Sequence, residues 1–234
     1  MADRPRLTDE GAAALAAEAM RSVTSGQVVG LGTGRAASAF VRALGRRVAE
    51  GLDVRGVPTS EATAALAREL GIKLLTPDDV EAVDVAVDGA DEVDPRANLI
   101  KGYGGALVRE KVVAALARRW IVLVGAEKLV PVLGSHGRLP VEVVPFAAGS
   151  CRRRLESLGY PAEVRIAGGR PVVSDNGNLL VDVRVGPIAD AAALHGSIRS
   201  IPGVVDTGLF LEFHPRVLVW DAGRCRELRP DGRN

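Results

Sequence analysis

Cysteine is nearly missing from this chain. Cys151 and Cys225 are the only two, and they lie far apart. They give no metal-ligand spacing, and a reducing, cytoplasmic setting is the plain expectation. Histidine is as scarce: His136, His195 and His214 form no cluster, so zinc chemistry and Cys/His nucleophile pairs are disfavoured. Neither sign of charge is in excess, with 30 basic and 29 acidic residues and a net charge of +1. No strong basic field exists to draw nucleic acid or a membrane surface. No apolar run reaches the ~18 residues of a spanning helix. Met1-Ala2-Asp3-Arg4-Pro5 lacks a basic region followed by an apolar core, so no signal peptide is expected. Lysine is the last scarcity. Of the 30 basic residues 26 are arginine, leaving Lys73, Lys101, Lys111 and Lys128. A coding bias toward Arg and Ala accounts for that. A lysine kept in such a chain is still mildly informative, because ammonium and guanidinium are not interchangeable at a reaction centre.

What is present is an ordinary globular mix, 47% apolar and 25% charged over 234 residues, enough for one or two domains. Thr8-Asp9-Glu10 starts an Ala-rich helix reaching about Val23, with a capping hydroxyl and acids in the first turn. Strands are predicted at Gln27–Leu31, Val54–Val57, Ile72–Leu75, Val83–Val87 and Trp120–Val124. Helices at Ala36–Val48, Ser60–Leu70 and Gly105–Arg118 alternate with them. The alternation implies a Rossmann-like parallel sheet with helices on both faces. After Lys128 the pattern changes. A strand at Val141–Val144, a helix at Ala148–Leu158 and a strand at Ala162–Arg165 precede Asp175-Asn176-Gly177-Asn178, a strong hairpin signal between Val172–Ser174 and Leu179–Val181. A helix at Ile188–Ser200 and a strand at Val204–Phe210 follow. The order is that of a ferredoxin-like β-α-β-β-α-β unit. The predicted organisation is a catalytic domain of residues 1–133 plus 209–234 and a smaller α+β domain of 134–208. Arg216–Trp220 would return to the first sheet, with a loose polar tail from Arg224.

Ligands of an open parallel sheet bind beyond the carboxyl ends of its strands. After the first strand stands Gly30-Leu31-Gly32-Thr33-Gly34-Arg35-Ala36, a glycine turn opening a helix, where backbone N–H groups can cradle a phosphate. The frame Gly32-x-Gly34-x-x-Ala37 also fits a dinucleotide fingerprint. That reading needs an acid ending the second strand, and Thr59 and Ser60 stand there instead. Asp88 and Asp91 follow the fourth strand. A turn or helix cap is their bland explanation, but two close carboxylates can also split their pKa values between two protonation roles. Lys101 precedes a glycine-rich turn opening the helix that holds Glu110. On spacing alone Glu110 reads as a solvated helix residue. Lys128 lies past another strand end.

These residues carry a resemblance. Gly30-Leu31-Gly32-Thr33-Gly34, Pro58-Thr59-Ser60-Glu61-Ala62-Thr63, Val87-Asp88-Gly89-Ala90-Asp91-Glu92 and the run Ile100 to Lys111 resemble the ribose-5-phosphate isomerase A family. Leu139-Pro140-Val141-Glu142-Val143, Ser174 to Asn178 and Ile201-Pro202-Gly203-Val204-Val205 are similar to its second domain and return strand. The likeness covers nearly the whole chain in order. It implies an aldose–ketose isomerase of the non-oxidative pentose phosphate pathway, acting on D-ribose 5-phosphate and D-ribulose 5-phosphate. It further implies a homodimer, no cofactor and no metal, with a small sugar phosphate as the partner molecule. Glu110 corresponds to the catalytic base. Asp88 and Asp91 match acids for ring opening and hydroxyl handling, Lys101 the lysine near the developing oxyanion, and Lys128 a substrate-binding lysine. Thr33, Gly34, Arg35 and Ala36 match the phosphate loop. Thr59, Ser60, Gly89, Ala90, Gly102, Tyr103 and Gly104 complete the expected substrate contacts.

Three departures stand out. The family's loop usually continues Thr-Gly-Ser-Thr, where this chain has Thr33-Gly34-Arg35-Ala36. Tyr103 replaces the third residue of a Lys-Gly-Gly-Gly turn. A lysine common in the first helix is missing. The residue types allow the chemistry: a carboxylate partly desolvated at a helix start can have its pKa raised toward neutrality, which suits a base. Lys101 and amides of Gly102–Gly105 would stabilise an enediolate oxygen. The competing classes are a sugar-phosphate-sensing regulator and a related sugar-phosphate deaminase or CoA-transferase. The regulator would need a DNA-binding segment before the sheet, where only about 26 residues stand. The deaminase would need catalytic histidine chemistry near these loops.

Overall fold

The computed structural model describes residues 6–228, so the leader reading of Met1–Pro5 falls outside it. In chain order come α1 (Asp9–Met20), β1 (Val28–Leu31), α2 (Arg35–Ala49), β2 (Arg55–Pro58), α3 (Glu61–Glu69), β3 (Lys73–Leu74) and β4 (Val85–Gly89). The short strands β5 (Glu92–Val93) and β6 (Leu99–Ile100) lead to α4 (Leu107–Leu116) and β7 (Trp120–Gly125). Next are β8 (Arg138–Val143), α5 (Ala148–Ser157), β9 (Ala162–Val164), β10 (Ile166–Ala167), β11 (Arg170–Pro171) and β12 (Leu179–Arg184). The chain closes with α6 (Ala191–Arg199), β13 (Val204–Thr207), β14 (Leu209–Phe210), β15 (Arg216–Asp221) and β16 (Arg224–Glu227).

The chain divides into two compact units. One holds the residues up to Ala90, Arg109–Leu129 and those from Phe213 onward; the other holds Asp91–Val108 and Val130–Glu212. These bounds differ from 1–133 plus 209–234 and 134–208. The physical reason is pairing that sequence order hides. Strand β6 pairs with β14, and the Val130 N–H donates to the Val93 carbonyl at 2.9 Å, which ties 91–108 and 130–133 to the second unit.

In the first unit the sheet order is β16-β15-β7-β4-β1-β2-β3, parallel except for the β15–β16 pair. The chain starts at β1, runs outward to β2 and β3, then returns to β4 on the other side of β1. Strand order therefore reverses between β1 and β4, the place where a Rossmann-like sheet leaves a crevice. The strands are apolar throughout because both faces are covered; β7 is buried at all six positions. Val29 and Leu31 pack in a core with Leu15 and Ala16 of α1 and Phe40, Val41 and Leu44 of α2. Gly30 alternates to the opposite face, where Val113 of α4 approaches it. Local signals set the helix starts. Thr8 Oγ1 accepts from the Gly11 N–H at 3.1 Å, and Ser60 Oγ accepts from the Thr63 N–H at 3.1 Å.

The second unit has an antiparallel sheet of order β13-β8-β12-β9. With α5 and α6 it gives the ferredoxin-like arrangement, and Leu155, Leu194 and Ile198 of the helices pack on Val141, Val143, Val181 and Val183. A second small sheet has the order β14-β6-β5. The predicted strand Val204–Phe210 is broken at Gly208. A Cβ there would lie 2.2 Å from the Lys101 carbonyl, and that approach lets the Lys101 N–H donate to the Gly208 carbonyl at 2.9 Å.

Two further corrections concern short elements. Arg224–Glu227 is not loose; it pairs antiparallel with β15, carrying its charges as an edge strand can. The Asp175–Asn178 turn exists, but its first arm is a single bridge, Val173 to Leu179, because the Val172 N–H donates to the Arg165 carbonyl at 2.9 Å instead.

Glu92 anchors the second unit. It is fully buried, and its two oxygens accept the Gly134 and His136 N–H groups at 2.6 Å each. Glu92→Ala would leave both donors without an acceptor, at about 1–3 kcal/mol each. Urea unfolding should show a loss of about 2–5 kcal/mol. Glu163→Ala, which breaks only the exposed pair with Arg184, should stay within about 0.5 kcal/mol of wild type.

Candidate active site

In the first unit, the loop after β1 and the end of β4 meet at the switch point. The Thr33 N–H donates to Asp88 Oδ1 at 3.1 Å, and Asp88 Oδ1 also accepts the Gly89 N–H at 2.7 Å. Asp88 is 3% exposed, so this oxygen orders the loop as well as carrying charge. Gly32 makes the approach possible. A Cβ on it would lie 2.3 Å from Asp88 Oδ1 and 2.5 Å from Asp88 Cα.

Thr33 Oγ1 lies in a knot of hydroxyls. It is 2.8 Å from Thr59 Oγ1, 2.9 Å from Ser60 Oγ and 3.3 Å from Thr63 Oγ1. Thr59, Ser60 and Thr63 are buried, and Thr63 Oγ1 donates to the Gly32 carbonyl at 3.0 Å. Thr63 was not among the expected site residues. The Ser60-x-x-Thr63 spacing at a helix start was the signal that could have found it. Gly34 forms the N-cap of α2 and no side chain caps that end. The first-turn N–H groups of a helix attract anions. Arg35, the first residue of α2, is exposed, and Ala36 is buried in the core.

Glu110 is 6% exposed and sits in the first turn of α4, so it is not the solvated residue that spacing alone suggested. The other end of α4 is fixed: the Leu116 carbonyl accepts the Val83 N–H at 2.9 Å, at the entry to β4. With Val113 opposite Gly30, Glu110 is one turn nearer the carboxyl edge of β1 and β4. Lys128 closes a single 3₁₀ turn after β7 and is half-buried. Gly89 ends β4 and Ala90 follows it, both partly exposed.

The second unit brings together Asp91, Lys101 and the turn Gly102-Tyr103-Gly104. The Asp91 N–H donates to the Ile100 carbonyl at 2.8 Å, and Asp91 Oδ2 accepts the Tyr103 N–H at 2.9 Å. Lys101 is 2% exposed, with its Nζ 5.7 Å from the centroid of the Phe210 ring. The Gly105 N–H bonds the Gly102 carbonyl at 3.1 Å. The amides of Tyr103 and Gly105 are thus engaged inside the unit, which narrows the expected oxyanion donors of this turn to Gly102 and Gly104. The Tyr103 ring lies under the Arg138 guanidinium, 3.8 Å from centroid to Cζ, and its hydroxyl donates to the Arg138 carbonyl at 3.2 Å. Burial together with the charges of Glu92 and Asp91 pushes the Tyr103 phenol up to about 12, so it stays protonated. Arg165 and Asp182, which brace this turn, carry no local sequence signal.

A family model described as ribose 5-phosphate isomerase A (phosphoriboisomerase A) matches residues 55–223. A ribose-5-phosphate isomerase A of Thermomicrobium roseum is 51% identical over 199 residues, covering 84% of each chain. That of Gloeobacter violaceus is 48% identical over 216 residues, covering 92% of this chain and 94% of its own. A solved ribose 5-phosphate isomerase A from Methanocaldococcus jannaschii superposes with a TM-score of 0.89 at 41% identity, covering 94% of this chain and 99% of that one. A solved D-ribose-5-phosphate isomerase in complex with phospho-erythronic acid gives 0.90 at 38% identity, covering 94% and 98%.

Gly32→Ala tests the contact at the switch point. Forcing a methyl into a packed site costs about 1–3 kcal/mol. Denaturant unfolding should show that loss, together with a drop in turnover as Asp88 is displaced. The control Gly149→Ala meets only the Arg153 side chain at 3.6 Å and should be neutral or slightly stabilising.

Proposed function

The chain belongs to the ribose 5-phosphate isomerase A family of aldose–ketose isomerases, and from that premise we propose that it interconverts D-ribose 5-phosphate and D-ribulose 5-phosphate through an enediolate, with Glu110 as the base. The observation that carries the reading is the burial of Glu110 in the first turn of α4, toward the strand edge that also bears the Thr33 loop and Asp88. Glu110 takes the C2 proton, the C2–H electron pair becomes the C1–C2 double bond and the carbonyl electrons go to O1; a proton then passes from O2 to O1, and Glu110 returns its proton to C1 as the C2 carbonyl forms. Asp88 and Asp91 serve ring opening and hydroxyl contacts, each with one oxygen already engaged by a backbone N–H. Lys101, with the Gly102 and Gly104 amides, offsets the charge that develops on the enediolate oxygen.

The phosphate belongs to the open first turn of α2 and the loop from Thr33 to Ala36, with Thr59 and Ser60 behind Thr33 and Lys128 as a further cation. Two hydroxyls expected at positions 35 and 36 are absent. Arg35 supplies a planar fork of donors instead, and its exposure leaves it able to reach an incoming anion.

Glu110→Gln keeps shape and removes the base. Circular dichroism should show an intact fold and the isomerase assay a loss of about 10²–10⁴-fold in kcat. Normal turnover would end the assignment. Activity should be the same with EDTA present or nicotinamide dinucleotides added. Arg35→Ala should raise KM about ten- to a hundredfold with little change in kcat, since a charge-assisted bond to a remote phosphate holds ground and transition states alike. Arg55→Ala, on β2 and outside the loop, should change neither constant. An unchanged KM for Arg35→Ala would leave the phosphate to the backbone and Thr33.

A further inference from the structure

We propose that Arg165, held by Asp182, is a positioning residue for the isomerase reaction: it fixes the peptide planes of the turn after Lys101 and so orients the Gly104 amide. Arg165 forks onto Asp182, Nε to Oδ2 at 2.9 Å and Nη2 to Oδ1 at 2.6 Å. The remaining Nη1 donates to two carbonyls, Gly102 at 3.1 Å and Tyr103 at 3.0 Å. The pair is largely withdrawn from water, with side chains 13% and 19% exposed. One guanidinium thus joins β12 to a turn more than sixty residues away in sequence.

Peptide geometry gives this bond its consequence. In a trans peptide the C=O and N–H point in opposite directions, and no cis peptide occurs among the described residues. The Gly102 carbonyl faces Arg165, so the Tyr103 N–H must face away, and it does, onto Asp91 Oδ2. The next plane follows the same rule. With the Tyr103 carbonyl on Arg165, the Gly104 N–H is turned away from the guanidinium. A cation on a carbonyl oxygen also polarises the amide and strengthens its N–H as a donor. Gly104 has no Cβ to resist a flip of that plane, so the orientation depends on what holds the carbonyl. Lysine cannot replace this device: a single ammonium does not span a carboxylate and two carbonyls.

The inference rests on the reading that this turn serves the enediolate. Its test measures kcat and KM for ribose 5-phosphate in Arg165→Ala, Arg165→Lys and Asp182→Asn, with Arg184→Ala as control. Arg165 and Asp182 line an open cleft of about 570 Å³, wide enough to admit a guanidinium ion. Guanidinium chloride, well below denaturing concentrations, is therefore added to each variant. Misplacement of a positioning group costs up to about a hundredfold, so kcat of Arg165→Ala should fall about ten- to a hundredfold while KM stays within about threefold. Asp182→Asn should show a smaller fall in kcat with the same steady KM. Arg165→Lys should recover little. Guanidinium should raise kcat of Arg165→Ala and leave Arg184→Ala unchanged. A kcat within about twofold of wild type, a loss confined to KM, or a loss that guanidinium does not restore overturns the proposal. Should Arg165→Ala not fold, Arg165→Gln and Asp182→Asn report the same split. Glu110→Gln is assayed alongside. If it turns over normally the base reading fails, whereas an inactive Glu110→Gln beside a fully active Arg165→Ala refutes the positioning role alone.

Discussion

Asp88 is the constraint around which the first unit is arranged. A buried carboxylate must find donors, because an ion left uncompensated in a protein interior costs several kcal/mol. Asp88 finds them in the Gly89 and Thr33 N–H groups. The second of these requires the loop after β1 to lie directly against the end of β4. That holds only if β1 and β4 are neighbours, which is the strand order observed. It also requires the residue before Thr33 to have no side chain, which Gly32 satisfies. Strand order, a glycine and a buried acid are one arrangement seen from three sides. Asp88 Oδ1 is thus the structural tie between the loop after β1 and the end of β4.

The hydroxyl knot beside it follows the same rule. Thr59, Ser60 and Thr63 are buried, and buried polar atoms need partners. They satisfy one another and the Leu31 and Gly32 carbonyls, and Thr33 Oγ1 is the member nearest solvent. The three buried hydroxyls therefore hold the Thr33 hydroxyl in place. Ala36 fits the same view. Its methyl is part of the core under α2, so a larger polar group there would have to leave the apolar cluster. At the helix start the packed position carries the Ala36 methyl and the exposed position carries the one long donor, Arg35.

How far the sequence foretold this depended on the range of each interaction. The parallel sheet, the loop after β1 and the helix carrying Glu110 announce themselves locally, through apolar runs that end in glycine and a polar group. Glu110 by itself was illegible, since a helix position reads as solvated until packing is known; its role came only from the resemblance, and its burial only from the packing of α4. Two-residue strands such as β5, β6 and β14 have too few residues to show a period of two. The edge strand Arg224–Glu227 reads as a polar tail because an edge tolerates charge. Arg165 could not be found at all. It is one of 26 arginines, and its meaning lies in two backbone carbonyls with which its own neighbourhood shares no pattern.

The scarcity of lysine can now be weighed against place. Lys73 is as rare as Lys101 by count, yet its side chain is 79% exposed and only 3.9 Å from an equally open Asp53, a pair worth little. Lys101 is 2% exposed and lies near the face of Phe210, where the ring quadrupole offsets part of the lost hydration. An ammonium in such a place is compact and short of water, and it responds strongly to a negative charge that forms beside it. Guanidinium spreads its charge and needs several acceptors at once, which suits Arg165 and its three partners. Lys101 and Arg165 are therefore suited to different tasks: a compact ammonium can answer a charge that forms beside it, and a guanidinium can hold several fixed dipoles at once.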